Sequence, residues 1–185
     1  MPIVSCGARY ISKEICYRAG CQSKNRNLKL KESMTGNEFK VLYDKEIASL
    51  INEVFAYQDD DQMWAVVPGT INSGGHLVQH LTGNLKTYIC LELGDVAYIR
   101  DRDAEFSKRL FTRDTLLAEL DVLRGTLNSV FLNLTEEDLQ KEYPQEVLAM
   151  FPQQSVSIIL THLLIHLGYH RGQLNYHRRF MQSTD

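Results

Sequence analysis

Histidine is the residue type in this chain whose spacing could do chemistry. The 185-residue sequence holds six: His76 and His80 in one segment, and His162, His166, His170 and His177 in another. On an α-helix, positions four apart differ by about 40° around the axis and rise about 6 Å, so such a set forms a stripe. In THLLIHLGYHRGQLNYHRR, His162, His166 and His170 are interleaved with Ile159, Leu163 and Leu174, which should face a core. A buried imidazole nitrogen without a partner costs about 1–3 kcal/mol, so converging histidines need something to bind. A divalent transition metal answers that need, because neutral imidazole is a good ligand for zinc, nickel, copper or iron. HxxxH supplies two nitrogens from one helix face, and a third ligand must come from a neighbouring helix. The plainer alternative is that each ring pairs with backbone or a carboxylate and binds nothing. That alternative is the better one for a lone histidine, whereas two striped segments in one domain favour the metal. HExxH, which would add a general base for proteolysis, is absent.

The elements that must position these rings are helices. Phe39, Leu42, Ile47, Leu50, Ile51, Val54 and Phe55 recur mostly at spacings of three and four, which predicts a helix over about 37–57. Asn72 or Ser73 can cap a second helix running to about Gly94. The alternating charges of residues 100–106 suit a solvated loop. Thr112 can cap a third helix over about 113–133, with Leu116, Leu117, Leu120, Leu123, Leu127 and Val130 inward. A short helical turn follows Thr135, and the last helix runs from about Ser155 to Met181. Four amphipathic helices without strand-like alternation predict an all-α, antiparallel four-helix bundle with a longer crossover between helices two and three.

Composition sets the outer bounds. The 44% hydrophobic and 23% charged content is ordinary for a soluble globular chain, and 185 residues suffice for one well-buried core. A formal net charge of −3 argues against a broad phosphate-binding surface, so no nucleic-acid partner is expected. Residues 1–33 carry seven Lys/Arg and two Asp/Glu, whereas residues 34–185 carry 13 and 21, so the basic segment reads as an appendage. Thr35 and Glu38 form a capping-box pattern beside Met34. The working domain is therefore expected over 34–185, with 1–33 a flexible tail or the product of an upstream start site. No stretch approaches roughly 18 apolar residues, and Arg9, Lys13, Glu14 and Arg18 interrupt any signal-peptide centre. The chain is read as cytoplasmic and without a membrane partner. Cys6, Cys16, Cys21 and Cys90 form no CxxC pair and are expected as free thiols there.

Three motifs in order carry a family resemblance. They are NSGGHLVQHLTGNL over 72–85, RDRDAEF over 100–106 and HLGYHRGQ over 166–173. They resemble the DinB/YfiT-like superfamily, especially its branch with HLxGN and HxxYHxGQ signatures, across roughly residues 35–182. The resemblance implies a four-helix bundle holding a metal through His80 on the second helix and His166 and His170 on the fourth. His76 then stands one turn before a ligand, as an accessory residue in the cavity. Asn84, one turn after His80, and Gln173, nearly one turn after His170, could orient a ligand or the substrate; each alone is more often structural.

Zinc or nickel fits three histidines best, with iron or manganese as other candidates, and three protein ligands leave positions open for an exchangeable group. Some superfamily members use bacillithiol, mycothiol or glutathione. The leading expectation is accordingly a metal-dependent thiol transferase acting on a small electrophile. Two rivals stand beside it: a non-catalytic metal-binding or damage-response bundle that works through dimerisation or a partner, and a metal-dependent hydrolase. Phe55, Tyr57 and Trp64 could contribute to a homodimer face, ordinary core packing being favoured for each.

Overall fold

The computed structural model describes residues 34–148 and 153–183; the basic extension, with Cys6, Cys16 and Cys21, lies outside them. Four long helices dominate: α1 (Gly36–Phe55), α3 (Gly74–Leu85) prolonged by a π-helical turn (Lys86–Leu91), α5 (Arg113–Asn133) and α7 (Val156–Gln182). Short helices sit in the connections: α2 (Asp60–Trp64), α4 (Arg102–Ser107) and α6 (Glu136–Gln140). Most of the starts follow from side-chain caps. Thr35 accepts from the Glu38 N–H while Glu38 accepts from the Thr35 N–H. Ser73, Thr112, Thr135 and Ser155 cap α3, α5, α6 and α7 in the same way at one end of the exchange.

The apolar stripes meet in one core. Phe39, Ile47, Leu50 and Val54 of α1 pack with Leu116, Leu120, Leu123 and Leu127 of α5 and with Ile159, Leu163 and Leu174 of α7. Leu42 and Phe55, expected inward, are exposed, and Tyr43 takes an inward place instead. Tyr57 is also buried, which removes it from any surface face, while Phe55 remains outside.

Cross-helix pairs give the directions. Asp44 accepts from Arg124 and Asn128, and Arg113 reaches the Tyr57 carbonyl, so α1 and α5 run antiparallel. Tyr43 donates to the Leu160 carbonyl and Arg178 pairs with Glu53, so α1 and α7 run parallel. Gly74 meets His177 while His80 meets His166, so α3 and α7 run antiparallel. Gln79 meets Leu110, and Lys86 pairs with Glu119, so α3 and α5 run parallel. The bundle thus mixes both kinds of neighbour, and the long connection through α4 returns the chain between the parallel pair α3 and α5.

Tyr43 shows how these contacts convert to stability. Its ring is wholly buried against Phe131, and its hydroxyl donates to Leu160 over 2.6 Å. Tyr43→Phe keeps the ring and loses the bond, so a cost of about 1 kcal/mol is expected. Thermal unfolding should read this as a fall of roughly 2–4 °C; an unchanged midpoint would show that the hydroxyl contributes nothing.

Candidate metal centre

His80 on α3 and His166 and His170 on α7 converge. One ring nitrogen from each lies within 4.8 Å of the others. The ring centroids are 5.4 Å apart for His80 with each of the other two and 4.5 Å for His166 with His170, all pairs meeting edge-on. The antiparallel register of α3 and α7 makes this possible, because it sets residue 80 against the HxxxH turn.

Two of the three rings have their protonation pattern imposed by neighbours. Glu105 of α4 approaches His80 Nδ1 at 2.9 Å, and an ionised carboxylate can only accept, so His80 donates Nδ1–H and, when neutral, keeps its lone pair on Nε2. Arg100 clamps the same carboxylate with Nε at 2.7 Å and Nη2 at 2.8 Å. The 3.3 Å approach of Arg100 Nη2 to His80 Nδ1 joins two donors and is a packing contact. Burial alone would raise the Glu105 carboxyl, but the bonds and charges of Arg100 and His80 outweigh it and hold it below its usual value. His170 Nδ1 faces Gln173 Oε1 at 2.7 Å, and Gln173 Nε2 donates to the Tyr169 hydroxyl at 3.2 Å, so His170 also keeps its lone pair on Nε2. His166 Nε2 stands 3.1 Å from His170 Nε2, while its buried Nδ1 has no partner among the described residues.

The two rings on α7 resist protons. Burial, then the neighbouring His170 and His80, push His166 down to about 4, and burial together with His80 also lowers His170. Lone pairs facing one another in a half-dry setting fit a divalent cation, and a carboxylate behind one ring and an amide behind another are the partners that orient metal-bound histidines.

The other histidines are placed elsewhere. His76 serves the start of α3, its ring nitrogen accepting from the Ser73 N–H and its edge meeting Trp64. His162 lies one turn before His166 without joining the close set. His177 bonds Tyr57 and the Ala65 carbonyl. Asn84 is buried, with its Oδ1 lacking a partner among the described residues. Cys90 is buried, and burial pushes its thiol up to about 11.

Residues 100–106 differ from the solvated loop expected of them. Asp101 caps α4 by accepting from the Ala104 N–H, and Ala104 and Glu105 are buried. Gln79 fastens this segment to α3, donating to the carbonyls of Glu105 (2.5 Å) and Lys108 (2.7 Å). Gly83 makes the room: a Cβ there would lie 2.0 Å from Glu105 Oε1. The glycine of the HLTGN motif thus admits the carboxylate that holds the motif's histidine.

The fold and the site define a helical bundle with a three-histidine centre between two of its long helices. Residues 36–185 match the family described as protein of unknown function DUF1572, and the chain belongs to it. Among solved structures, a mycothiol-dependent maleylpyruvate isomerase matches with a TM-score of 0.57 and 14% identity, over 76% of this chain and 61% of that one. That likeness establishes the DinB-like fold, and this chain spans about three-fifths of that enzyme's length. No curated protein matches the chain. Among the described residues no helix is long and apolar enough to cross a membrane.

Proposed function

We propose that this chain binds one divalent transition metal, zinc or nickel first, through His80, His166 and His170, and catalyses thiol-dependent transfer to a small electrophile. The observation that carries the reading is the convergence of three imidazoles whose neighbours leave the Nε2 lone pairs of His80 and His170 free. Three protein ligands leave coordination positions open, as in catalytic rather than structural sites. When bound, the metal would favour the thiolate of a low-molecular-weight thiol such as bacillithiol, mycothiol or glutathione at neutral pH.

The chain's own residues supply the rest. Glu105 and Gln173 hold two ligand rings in orientation. A cavity of about 620 Å³ reaches His170 and is walled by Leu77, Ile71, Tyr176 and Phe180, which gives an apolar body room beside the cluster. A solved bundle of this fold is a mycothiol-dependent isomerase, which makes thiol chemistry the first to test.

The experiment is elemental analysis of the purified full chain and of His170→Ala, followed by thiol consumption with a panel of electrophiles with and without added zinc or nickel. About one metal per chain is expected. Loss of an outer partner alone costs about 10–100-fold in metal affinity, so loss of a ligand should cost at least that. A chain that takes up no metal, or whose uptake ignores His170→Ala, removes the metal reading. Metal uptake without turnover across bacillithiol, mycothiol, glutathione and coenzyme A removes the transferase.

A further inference from the structure

A second cavity, about 290 Å³, reaches the histidine cluster through His80 and His166, whereas the large apolar one reaches it through His170. Its wall is different in kind. Asn84, Tyr88, Arg100, Arg102 and His162 line it, and among the described residues no Asp or Glu does, Glu105 standing behind Arg100 and His80. Arg102 makes no hydrogen bond or ion pair among the described residues; its guanidinium lies 5.9 Å from the Phe106 ring centroid. Arg100 spends Nε and Nη2 on Glu105, and its Nη1 has no hydrogen-bond partner among the described residues. Asn84 is only 8% exposed, with an amide oxygen that nothing among the described residues satisfies. Such an orphan costs about 1–3 kcal/mol, and the part of the amide left accessible to the cavity is Nδ2, which makes no hydrogen bond among the described residues.

We propose that this cavity is a subsite for the anionic end of a small substrate, a carboxylate or a phosphate. Arg102 and Arg100 Nη1 donate to its oxygens, since guanidinium groups match the planar spacing of such oxyanions. The Asn84 Nδ2 donates to an oxygen on the neighbouring atom of the same molecule, such as a hydroxyl. The cavity borders two of the three cluster histidines, so an anion seated there presents the rest of its molecule to the centre. The subsite deepens the proposed function and rests on it only for the word substrate; anion binding itself needs no metal.

The test therefore uses chelator-treated full-length protein, titrated calorimetrically with lactate, inorganic phosphate and uncharged lactamide. Saturable binding of lactate or phosphate is expected, with lactamide at least about 10-fold weaker, the size of one charge-assisted contact. Which anion binds more tightly identifies the oxyanion. Arg102→Gln, at an exposed position, should weaken anion binding at least about 10-fold without moving the thermal midpoint, and Asn84→Ala should weaken lactate. No saturable binding, equal binding of lactamide, or indifference to Arg102→Gln overturns the subsite. Anion binding in a chain that takes up no metal would leave the subsite standing while the proposed function falls.

Discussion

Replacing Gly83 by alanine should unseat Glu105, cost the fold about 2–4 kcal/mol and weaken the proposed metal binding about 10–100-fold. The sign is what makes the experiment informative. Within a helix, glycine to alanine ordinarily stabilises by up to about 1 kcal/mol, because alanine has less backbone freedom to lose. Here the new methyl would stand 2.0 Å from Glu105 Oε1 and 2.9 Å from its Cδ, with the Tyr98 hydroxyl at 3.3 Å. The carboxylate is the far end of a flexible side chain, so it can leave, but leaving breaks bonds of 2.7 and 2.8 Å to Arg100 and 2.9 Å to His80. Such charge-assisted bonds are worth about 1.5–3 kcal/mol when lost singly and less than their sum within one network, and Arg100 would keep a half-buried cation without its partner. Urea unfolding of Gly83→Ala, Glu105→Ala and the double variant separates clash from propensity. With the carboxylate gone the methyl has space, so the double variant should be no less stable than Glu105→Ala alone. A Gly83→Ala protein as stable as the parent would mean that Glu105 does not depend on this glycine.

What could be read before the structure is what short-range spacing dictates. The turn of a helix is set by backbone geometry, so His166 and His170 had to share a face, and Ile159, Leu163 and Leu174 had to lie beside them. Caps act within three residues of themselves: Thr35, Thr112 and, of the pair Asn72 and Ser73, Ser73 cap as expected, and Thr135 and Ser155 cap the helices expected to begin beside them. The positioning carboxylate was harder, because Glu105 acts across 25 residues and its neighbours alternate in charge as a solvated loop does. Its burial depends on Gln79 reaching the backbone of residues 105 and 108, a contact that no local period announces. Signals were nonetheless present in the Asp101 cap and in a glycine placed inside a helix three residues after His80. The helix directions were equally hidden: connections long enough to hold α2, α4 and α6 allow parallel neighbours that short loops would forbid. His76 and Tyr57 are tied down by contacts that spacing does not announce, Tyr57 in the core place favoured for it. Each has a polar atom satisfied within the fold, the former at the start of α3 and the latter at His177.

His177→Ala should cost the fold about 2–4 kcal/mol at pH 7.5, and that cost should shrink as the pH falls towards 5. The ring joins three places along the chain. Tyr57, at the end of α1, donates its hydroxyl to Nδ1 at 2.8 Å, and burial raises that hydroxyl well above its usual value, so it remains an O–H. Nε2 lies 2.9 Å from the Ala65 carbonyl and 3.3 Å from the Gly74 N–H; one nitrogen cannot donate and accept at once, and the shorter contact, Nε2–H to Ala65, is consistent with the acceptor role of Nδ1. Alanine would leave the buried Tyr57 hydroxyl only a long 3.5 Å contact with the Leu174 carbonyl and open space beside the large cavity. The pH dependence follows from linkage. Burial lowers the folded-state value of His177 below 6.5, the Ala65 bond opposing it, so in the window just below 6.5 the unfolded chain binds more protons than the folded one. This contribution is fully present above 6.5 and is lost as pH falls through the folded-state value. Alanine has no such contribution to lose, so the two proteins should converge on acidification. Urea unfolding of both at pH 7.5, 6.5 and 5.5 measures the gap, and a gap that stays constant or widens would show that His177 is not held neutral by the fold.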